Sequence, residues 1–179
     1  MRSHVPVGNS RLIGGVLFLT VLLIASTPRL EAAGPFDTFT VPPCRVLDTR
    51  LSNPLGPIPA NGSRNIAVAG NISAFNQGGA ADCGVPFNPT TPALSAKGAY
   101  INVVAVNAGG PGHLTVYPFP SALPLASTLN FTTGQTIANG VLVPICDPGV
   151  SACMFDLTIT MGPAAAHIVI DVTDYLQSP

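Results

Sequence analysis

The sequence predicts an all-β fold, a single antiparallel β-sandwich of jelly-roll type with about nine strands and two disulfides. Short runs rich in Val, Ile and Thr alternate with clusters of Pro, Gly and Asn along most of the chain. After residue 34 the chain contains no Glu and a single Lys, so good helix formers are scarce. The four cysteines also lie in this part of the chain, and an even number suits disulfide pairing.

The first half of the predicted domain contains three strand-like runs, at residues 36–41, 44–50 and 64–69. A Pro-Pro pair separates the first two runs, and a loop dense in Pro, Gly and Asn precedes the third. Residues 70–98 then form a long irregular region. Structureless connections of this length are uncommon, so we expect Cys83 to pin this region to the rest of the domain.

The second half contains six further strand-like runs, at residues 99–106, 113–117, 127–131, 136–145, 154–161 and 167–175. The sequence NAGGPG between the first two of these runs is typical of a turn, and it predicts that they pair as a hairpin. Leu157, Ile159 and Met161 alternate with Thr, which predicts a strand with one buried face and one wet face. The last run alternates in the same way.

The N-terminal segment has the features of a secretory leader. Arg2 and Arg11 precede an apolar run at residues 12–25, which is shorter than the roughly 20 residues that a membrane span needs. We therefore predict that residues 1–33 are a signal peptide or an uncleaved N-terminal anchor, and that residues 34–179 form one exported domain. This predicts an extracellular, periplasmic or cell-surface location, with membrane contact only through an uncleaved leader.

The cysteines of an exported chain are expected to form disulfides. The segment CDPGVSAC carries a Pro-Gly turn, which favours Cys146–Cys153 among the three possible pairings and leaves Cys44 to pair with Cys83. A zinc site would need closely spaced cysteines or a nearby His, and neither CxxC nor HxxxH occurs. Each disulfide is expected to stabilise the domain by ~2–4 kcal/mol.

The charge balance of the predicted domain argues against a nucleic-acid partner. Residues 34–179 carry four basic side chains and seven Asp, so the domain is mildly acidic. Binding of nucleic acid relies on clustered Lys and Arg, which this domain does not have. We therefore predict no nucleic-acid partner.

Several motifs occur together and in order: PCRVLDTR (43–50), NGSRN (61–65), CGVP (83–86), NVVAVNAGGPGHLTVYP (102–118), ASTLNFTTGQTIANGVLVPIC (126–146) and HIVIDVTDY (167–175). Over residues 42–176 the chain resembles a family of secreted bacterial all-β domains marked by RVLDTR, GxLTVYP, ASxLNF…GQTxAN and VIVDVxGY. His113 stands where that family more usually has an aromatic residue, and Asp174 where Gly is common. The resemblance implies a small exported β-module, found alone or attached to extracellular hydrolases, with no defined activity of its own.

The RVLDTR segment and the last strand contain the candidate polar residues. Asp48 and Arg50 lie two residues apart in a predicted strand and should share a face, as an acid–base or ligand-binding pair or as a structural ion pair. We predict the structural pair. Arg45 is an odd number of residues from both and is expected on the opposite face. Asp171 lies between Ile170 and Val172 in the last predicted strand. A carboxylate in such a position usually accepts hydrogen bonds, and we expect Asp171 to pair with an Arg of RVLDTR.

Catalytic and cofactor patterns do not occur. The chain has no GxSxG elbow, no SxxK pair around Ser95, no phosphate loop and no DxDxDG-type calcium loop. His113 and His167 lie far apart in sequence, and we interpret each as a strand residue rather than a metal ligand. We therefore predict that the protein is not an enzyme and carries no cofactor.

Two functional hypotheses follow. The first is a non-catalytic module that binds cell-surface proteins or self-associates through exposed strand edges. The second is a module that binds carbohydrate or cell wall. An exposed coplanar aromatic pair or a polar groove would favour the second hypothesis, and an uncharged open edge strand or a flat apolar patch the first. The aromatic residues in or beside predicted strands are Tyr100, Tyr117, Phe119 and Phe131.

Overall fold

Two four-stranded antiparallel sheets account for the regular structure of residues 35–51 and 56–179, the part of the chain that the computed structural model describes. The strands are β1 (Asp37–Asp48), β2 (Ser63–Ile66), β3 (Ala96–Val106), β4 (Gly112–Pro118), β5 (Leu129–Phe131), β6 (Ile137–Pro144), β7 (Leu157–Met161) and β8 (His167–Gln177). The first sheet has the order β1-β8-β3-β6 and the second β2-β7-β4-β5. The all-β prediction is confirmed, and the two sheets fit a sandwich. The predicted leader, residues 1–33, lies outside the described residues.

The apolar faces of the two sheets pack on each other to form the core. Strands β3 and β8 supply the centre of the first face, and β4 and β7 supply that of the second. Fully buried side chains from these four strands include Val103, Ile168, Ile170, Leu114, Leu157 and Ile159. Burying one such side chain stabilises the fold by about 1.5–3 kcal/mol.

The alternation predicted for β7 is confirmed on its apolar side, where Leu157, Ile159 and Met161 are buried. The prediction that the Thr residues face solvent is wrong at Thr158, which is only 7% exposed. Its hydroxyl donates a hydrogen bond to Asn65 Oδ1 on the neighbouring strand at 2.9 Å. Thr can be buried at such a position because a cross-strand hydrogen bond satisfies its hydroxyl.

Both predicted disulfides are confirmed. Cys44 is bonded to Cys83 and Cys146 to Cys153, each with a Cα–Cα distance of 5.6 Å. The first bridge joins β1 to the irregular region between β2 and β3, as expected for Cys83. Two short 3₁₀ helices, Ser73–Phe75 and Pro92–Leu94, lie in that region.

The structure has eight strands among the described residues rather than the nine predicted, because the first two predicted strands are one. Strand β1 runs through Pro42 and Pro43, with an irregular register between Thr40 and Cys44. Proline cannot donate to a β-ladder, but an edge strand needs only half of its N–H groups. Strand β1 is an edge strand, so the two prolines bend it without ending it.

The predicted hairpin of residues 99–106 with 113–117 is wrong. Strand β3 pairs with β6 and β8, whereas β4 pairs with β5 and β7, so the turn carries the chain from one sheet to the other. The turn's amides are bonded to other connections, from Ala108 N to Gln135 O at 3.3 Å and from Gly109 N to Ala165 O at 2.9 Å. These tertiary bonds replace the local ladder that the turn signal predicts.

The third predicted strand, residues 64–69, is regular only as far as Ile66 in the structure. Beyond that point, side chains take the place of a neighbouring strand. Gln77 Oε1 accepts a hydrogen bond from Ala67 N at 2.7 Å, and Asp156 Oδ2 accepts from Val68 N at 2.6 Å. The backbone of this segment is therefore satisfied without a β-ladder.

Candidate functional site

The predicted Asp48–Arg50 pair is present at the end of β1, on the side of the first sheet that faces away from the core. The Asp48 side chain has no exposed surface, whereas that of Arg50 is 45% exposed. Asp48 Oδ1 accepts hydrogen bonds from Arg50 N at 3.1 Å and Nε at 2.8 Å, and Oδ2 accepts from Arg50 Nη2 at 2.6 Å. The guanidinium group thus binds the carboxylate through both oxygens.

Arg45 joins this pair to β8. Its Nη1 donates to Asp48 Oδ2 at 3.2 Å, and its Nε and Nη2 donate to Asp171 Oδ1 and Oδ2 at 2.8 and 3.3 Å. The structure therefore places Asp171 against an Arg of RVLDTR. Arg45, Asp48, Arg50 and Asp171 form one alternating chain of charges, which we call the arginine–aspartate cluster.

The expectation that Arg45 faces away from Asp48 and Arg50 is wrong. The register changes between Arg45, which pairs with Asp171, and Leu47, which pairs with Ile170. An extra residue in one strand of a pair is a β-bulge, and it resets the alternation of side chains. In addition, β1 ends at Asp48, so Arg50 reaches back from a turn rather than along a strand.

The charges in the cluster satisfy one another. The hydrogen bond from Arg50 lowers the pKa of Asp48, and the hydrogen bond to Asp171 raises the pKa of Arg45. The burial of Asp48 is shallow, because the groups that cover it are two half-exposed guanidinium groups. Every carboxylate oxygen in the cluster already accepts a hydrogen bond, which suits a structural ion-pair network better than an acid–base site.

Neither His113 nor His167 belongs to a group of side chains that could hold a metal ion among the described residues. His167 Nδ1 lies 3.0 Å from Thr49 Oγ1, and the ring of His113 packs over Gly162, where a Cβ would stand 2.6 Å from it. No group of three or more His, Cys, Asp or Glu side chains in residues 35–51 and 56–179 is placed to hold a metal ion. No helix in these residues is long and apolar enough to cross a bilayer.

The aromatic residues noted in the sequence are mostly part of the packing. Tyr117 and Phe131 are buried, whereas Tyr100 is exposed. A further pair, Phe39 and Tyr175, has ring centroids 5.2 Å apart and an interplanar angle of 16°. These two rings stack on each other, so their facing surfaces are not open to a ligand.

Strand β6 is the open edge of the first sheet. It pairs with β3, and no other described strand lies hydrogen-bonded along its second side. Its sequence IANGVLVP contains no charge, and five of its eight residues are exposed. Strands β4 and β5 of the second sheet lie near β6, and Asn139 Nδ2 donates a hydrogen bond to Thr128 O at 2.8 Å. No β-ladder joins the outer backbone edge of β6 to another described strand.

Asp156 lies just before β7 and is a functional candidate that the sequence did not single out. It is 4% exposed, and its Oδ2 accepts from Val68 N at 2.6 Å and Ala69 N at 2.9 Å. Burial raises its pKa although these two hydrogen bonds oppose the shift. Asp156 also lines a cavity of about 230 Å³. The one signal in the sequence is an isolated acid at the start of an apolar strand.

Comparisons with protein families, with curated proteins and with solved structures found no match. The resemblance to secreted bacterial all-β domains therefore stays a prediction made from the motifs.

Proposed function

We propose that this chain is a non-catalytic, exported β-sandwich module that acts through protein contacts, and specifically through self-association along β6. The observation that carries the proposal is the uncharged, unpaired edge of that strand. An edge strand presents a row of N–H and C=O groups that can template pairing with another strand.

The opposite edge of the same sheet is covered at the end of β1, although the first part of that strand is exposed. Ala80 N donates to Arg45 O at 2.8 Å, and Asp48 N donates to Gln77 O at 2.9 Å, so the loop after β2 pairs with the end of β1. Natural proteins usually protect edges with charge, proline, bulges or a covering loop. The end of β1 has a loop and a bulge, whereas β6 has a proline only at its last residue. This contrast supports a role for the β6 edge in pairing.

A second copy of the chain is the partner that this edge fits best. Two β6 strands can meet antiparallel around a two-fold axis, and an isologous contact of this kind buries no charge because the strand has none. Tyr100 and Leu142 are directly paired neighbours on the outer face, each 39% exposed. They extend the uncharged edge with apolar surface that association would cover.

The architecture and chemistry agree with an exported, non-enzymatic module. The strand orders β1-β8-β3-β6 and β2-β7-β4-β5 support a sandwich of jelly-roll type, an eight-stranded fold that occurs in capsid and lectin domains. Two disulfides suit an oxidising compartment, outside the cytoplasm or at the cell surface. The arginine–aspartate cluster provides no free acid or base.

The test is the oligomeric state of the Gly140→Lys variant. A Cβ at this position meets nothing within 4 Å, so the substitution is expected to leave the fold intact while placing a charge on the edge. Light scattering over a concentration series should show assembly of the unmodified protein and a shift of the variant towards monomer, by at least tenfold in dissociation constant.

The matched control is Thr133→Lys, which adds the same charge at an exposed residue of the turn between β5 and β6. This variant should assemble like the unmodified protein. A monomeric unmodified protein at all accessible concentrations would refute the proposal, as would equal assembly of the Gly140→Lys variant.

Carbohydrate or cell-wall binding remains the second candidate. One observation favours it: the cavity beside Asp156 combines aromatic walls with a buried carboxylate oxygen that accepts no hydrogen bond from the described residues.

A further inference from the structure

Connections from both sheets build the cavity beside Asp156. The long region between β2 and β3 supplies Asn71, Phe75 and Phe87, and the connection between β6 and β7 supplies Met154 and Phe155. The ring of Phe155 lies in the middle of a small aromatic group, 5.3 Å from that of Phe75 and 5.7 Å from that of Phe119. The aromatic wall is thus held by packing on both sides.

The buried carboxylate has capacity left for a ligand. Both backbone N–H groups that reach Asp156 bind its Oδ2, and no described residue donates to its Oδ1. Buried polar oxygens are almost always hydrogen-bonded, because an unsatisfied one costs free energy. Because Asp156 lines the cavity, this oxygen can be satisfied by a donor that enters the cavity.

A hydrogen-bond donor lines the same cavity. Asn71 Oδ1 accepts from Ser73 N at 3.0 Å and from Ser73 Oγ at 2.6 Å, which fixes the side chain. Asn71 is exposed, and its Nδ2 makes no hydrogen bond with any other described residue. A ligand in this cavity can thus donate to Asp156 and accept from Asn71.

These features restrict the chemistry of the ligand. A hydroxyl group both donates and accepts, whereas an ammonium group cannot accept from Asn71 and an anion would face the Asp156 carboxylate. The apolar face of a sugar ring suits walls of Phe and Met. A cavity of about 230 Å³ lies below the usual range for drug-sized ligands, so it suits a single ring.

We propose that this cavity binds one neutral pyranose ring, with ring hydroxyls on Asp156 Oδ1 and Asn71 Nδ2 and its apolar face on Phe75, Phe87 and Phe155. The proposal rests on the second candidate function, since it identifies the carbohydrate site. It uses no residue of β6.

The experiment is saturation-transfer NMR and calorimetry with the methyl glycosides of glucose, galactose, mannose and N-acetylglucosamine, using the chain as purified with both disulfides intact. At least one of these glycosides should bind. Asp156→Asn should weaken that binding at least tenfold, since the amide nitrogen it introduces cannot accept, while the remaining oxygen still accepts from the two backbone amides.

A second variant, Asn71→Asp, keeps the acceptor for Ser73 and removes the donor, and it should weaken binding by a similar factor. The matched controls are Asn130→Asp, whose Oδ1 also accepts from a nearby Ser, and Asp174→Asn in β8. Both controls should bind as the unmodified protein does.

Absence of binding by all four glycosides would overturn the proposal, as would equal binding by the Asp156→Asn and Asn71→Asp variants. The Gly140→Lys variant separates this site from self-association, because it should lose assembly and keep glycoside binding. The experiments can therefore refute self-association and glycoside binding independently of each other.

Discussion

At the scale of single residues, Asp48 shows how this chain keeps a carboxylate covered. Arg50 binds both of its oxygens from two residues away, and Arg45 connects it to Asp171 on β8. The cluster ties the end of β1 to the middle of β8 and leaves its guanidinium groups facing water. These bonds fix the end of the edge strand.

Replacing Asp48 by Asn should lower the free energy of unfolding by about 2–3 kcal/mol at neutral pH, because Arg50 loses its counter-charge and Arg45 keeps only Asp171. Asp171→Asn should cost about 1 kcal/mol, since Asp171 and Arg45 are both partly exposed to water. Urea denaturation of the two variants measures both losses. Equal losses would contradict the account of a covered carboxylate at the centre of the cluster.

The pH dependence of stability should carry the same signature. Hydrogen bonds from Arg50 lower the pKa of Asp48 in the folded state. A carboxylate of this kind contributes its stability above the unfolded pKa of about 3.9, and the contribution is lost as the pH falls through the folded pKa. The unmodified protein should therefore lose more stability than Asp48→Asn below about pH 4.

At the scale of elements, the loop that covers the end of β1 depends on Gly79. A Cβ at this residue would stand 2.4 Å from Arg45 O and 2.7 Å from the carbonyl of Val46. These are backbone atoms of a bulged strand held by a nearby disulfide, so they cannot move aside cheaply.

The variant Gly79→Ala should therefore destabilise the domain by about 1–3 kcal/mol through overpacking. Gly110→Ala is the matched control, since its Cβ would make an ordinary contact of 3.5 Å with Ala164. Thermal melts of the two variants provide the measurement. Similar melting temperatures would show that the loop after β2 does not pack closely on β1.

The sequence predicts much of each element and little of how the elements pair. Period-two alternation locates β7 and β8, and the turn in CDPGVSAC indicates the second disulfide. The hairpin prediction fails because a turn signal is local, whereas the choice of sheet depends on bonds such as that from Gly109 N to Ala165 O. The predicted length of the third strand is wrong for a similar reason. Gln77 and Asp156 bind the backbone after β2, and both come from other parts of the chain.

The candidate sites divide in the same way. The arginine–aspartate cluster can be predicted because Asp48 and Arg50 are neighbours in sequence, although the bulge that turns Arg45 towards them cannot. The cavity escapes prediction because Asn71 and Asp156 are 85 residues apart in the chain and meet only when the connections after β2 and β6 come together. The buried Asp156 oxygen that accepts no hydrogen bond from the described residues is a property of the folded state.

At the scale of the whole molecule, the sandwich separates covered surface from available surface. The loop after β2 and the Cys44–Cys83 bridge protect the second half of β1 at one edge of the first sheet, whereas β6 is an uncharged strand at the other edge. The connections that follow β2 and β6 form the cavity with the buried acid. The proposed self-association and the proposed sugar binding thus involve separate parts of one small domain.

Hydrogen–deuterium exchange tests the central claim most directly, because it reads the backbone of β6 itself. We predict that exchange at residues 137–144 slows as the protein concentration rises, since the outer amides become bonded to a second copy. Exchange at residues 63–66, the edge strand of the other sheet, should stay constant. If the β6 amides exchange at the same rate at all concentrations, the account of self-association through this edge is wrong.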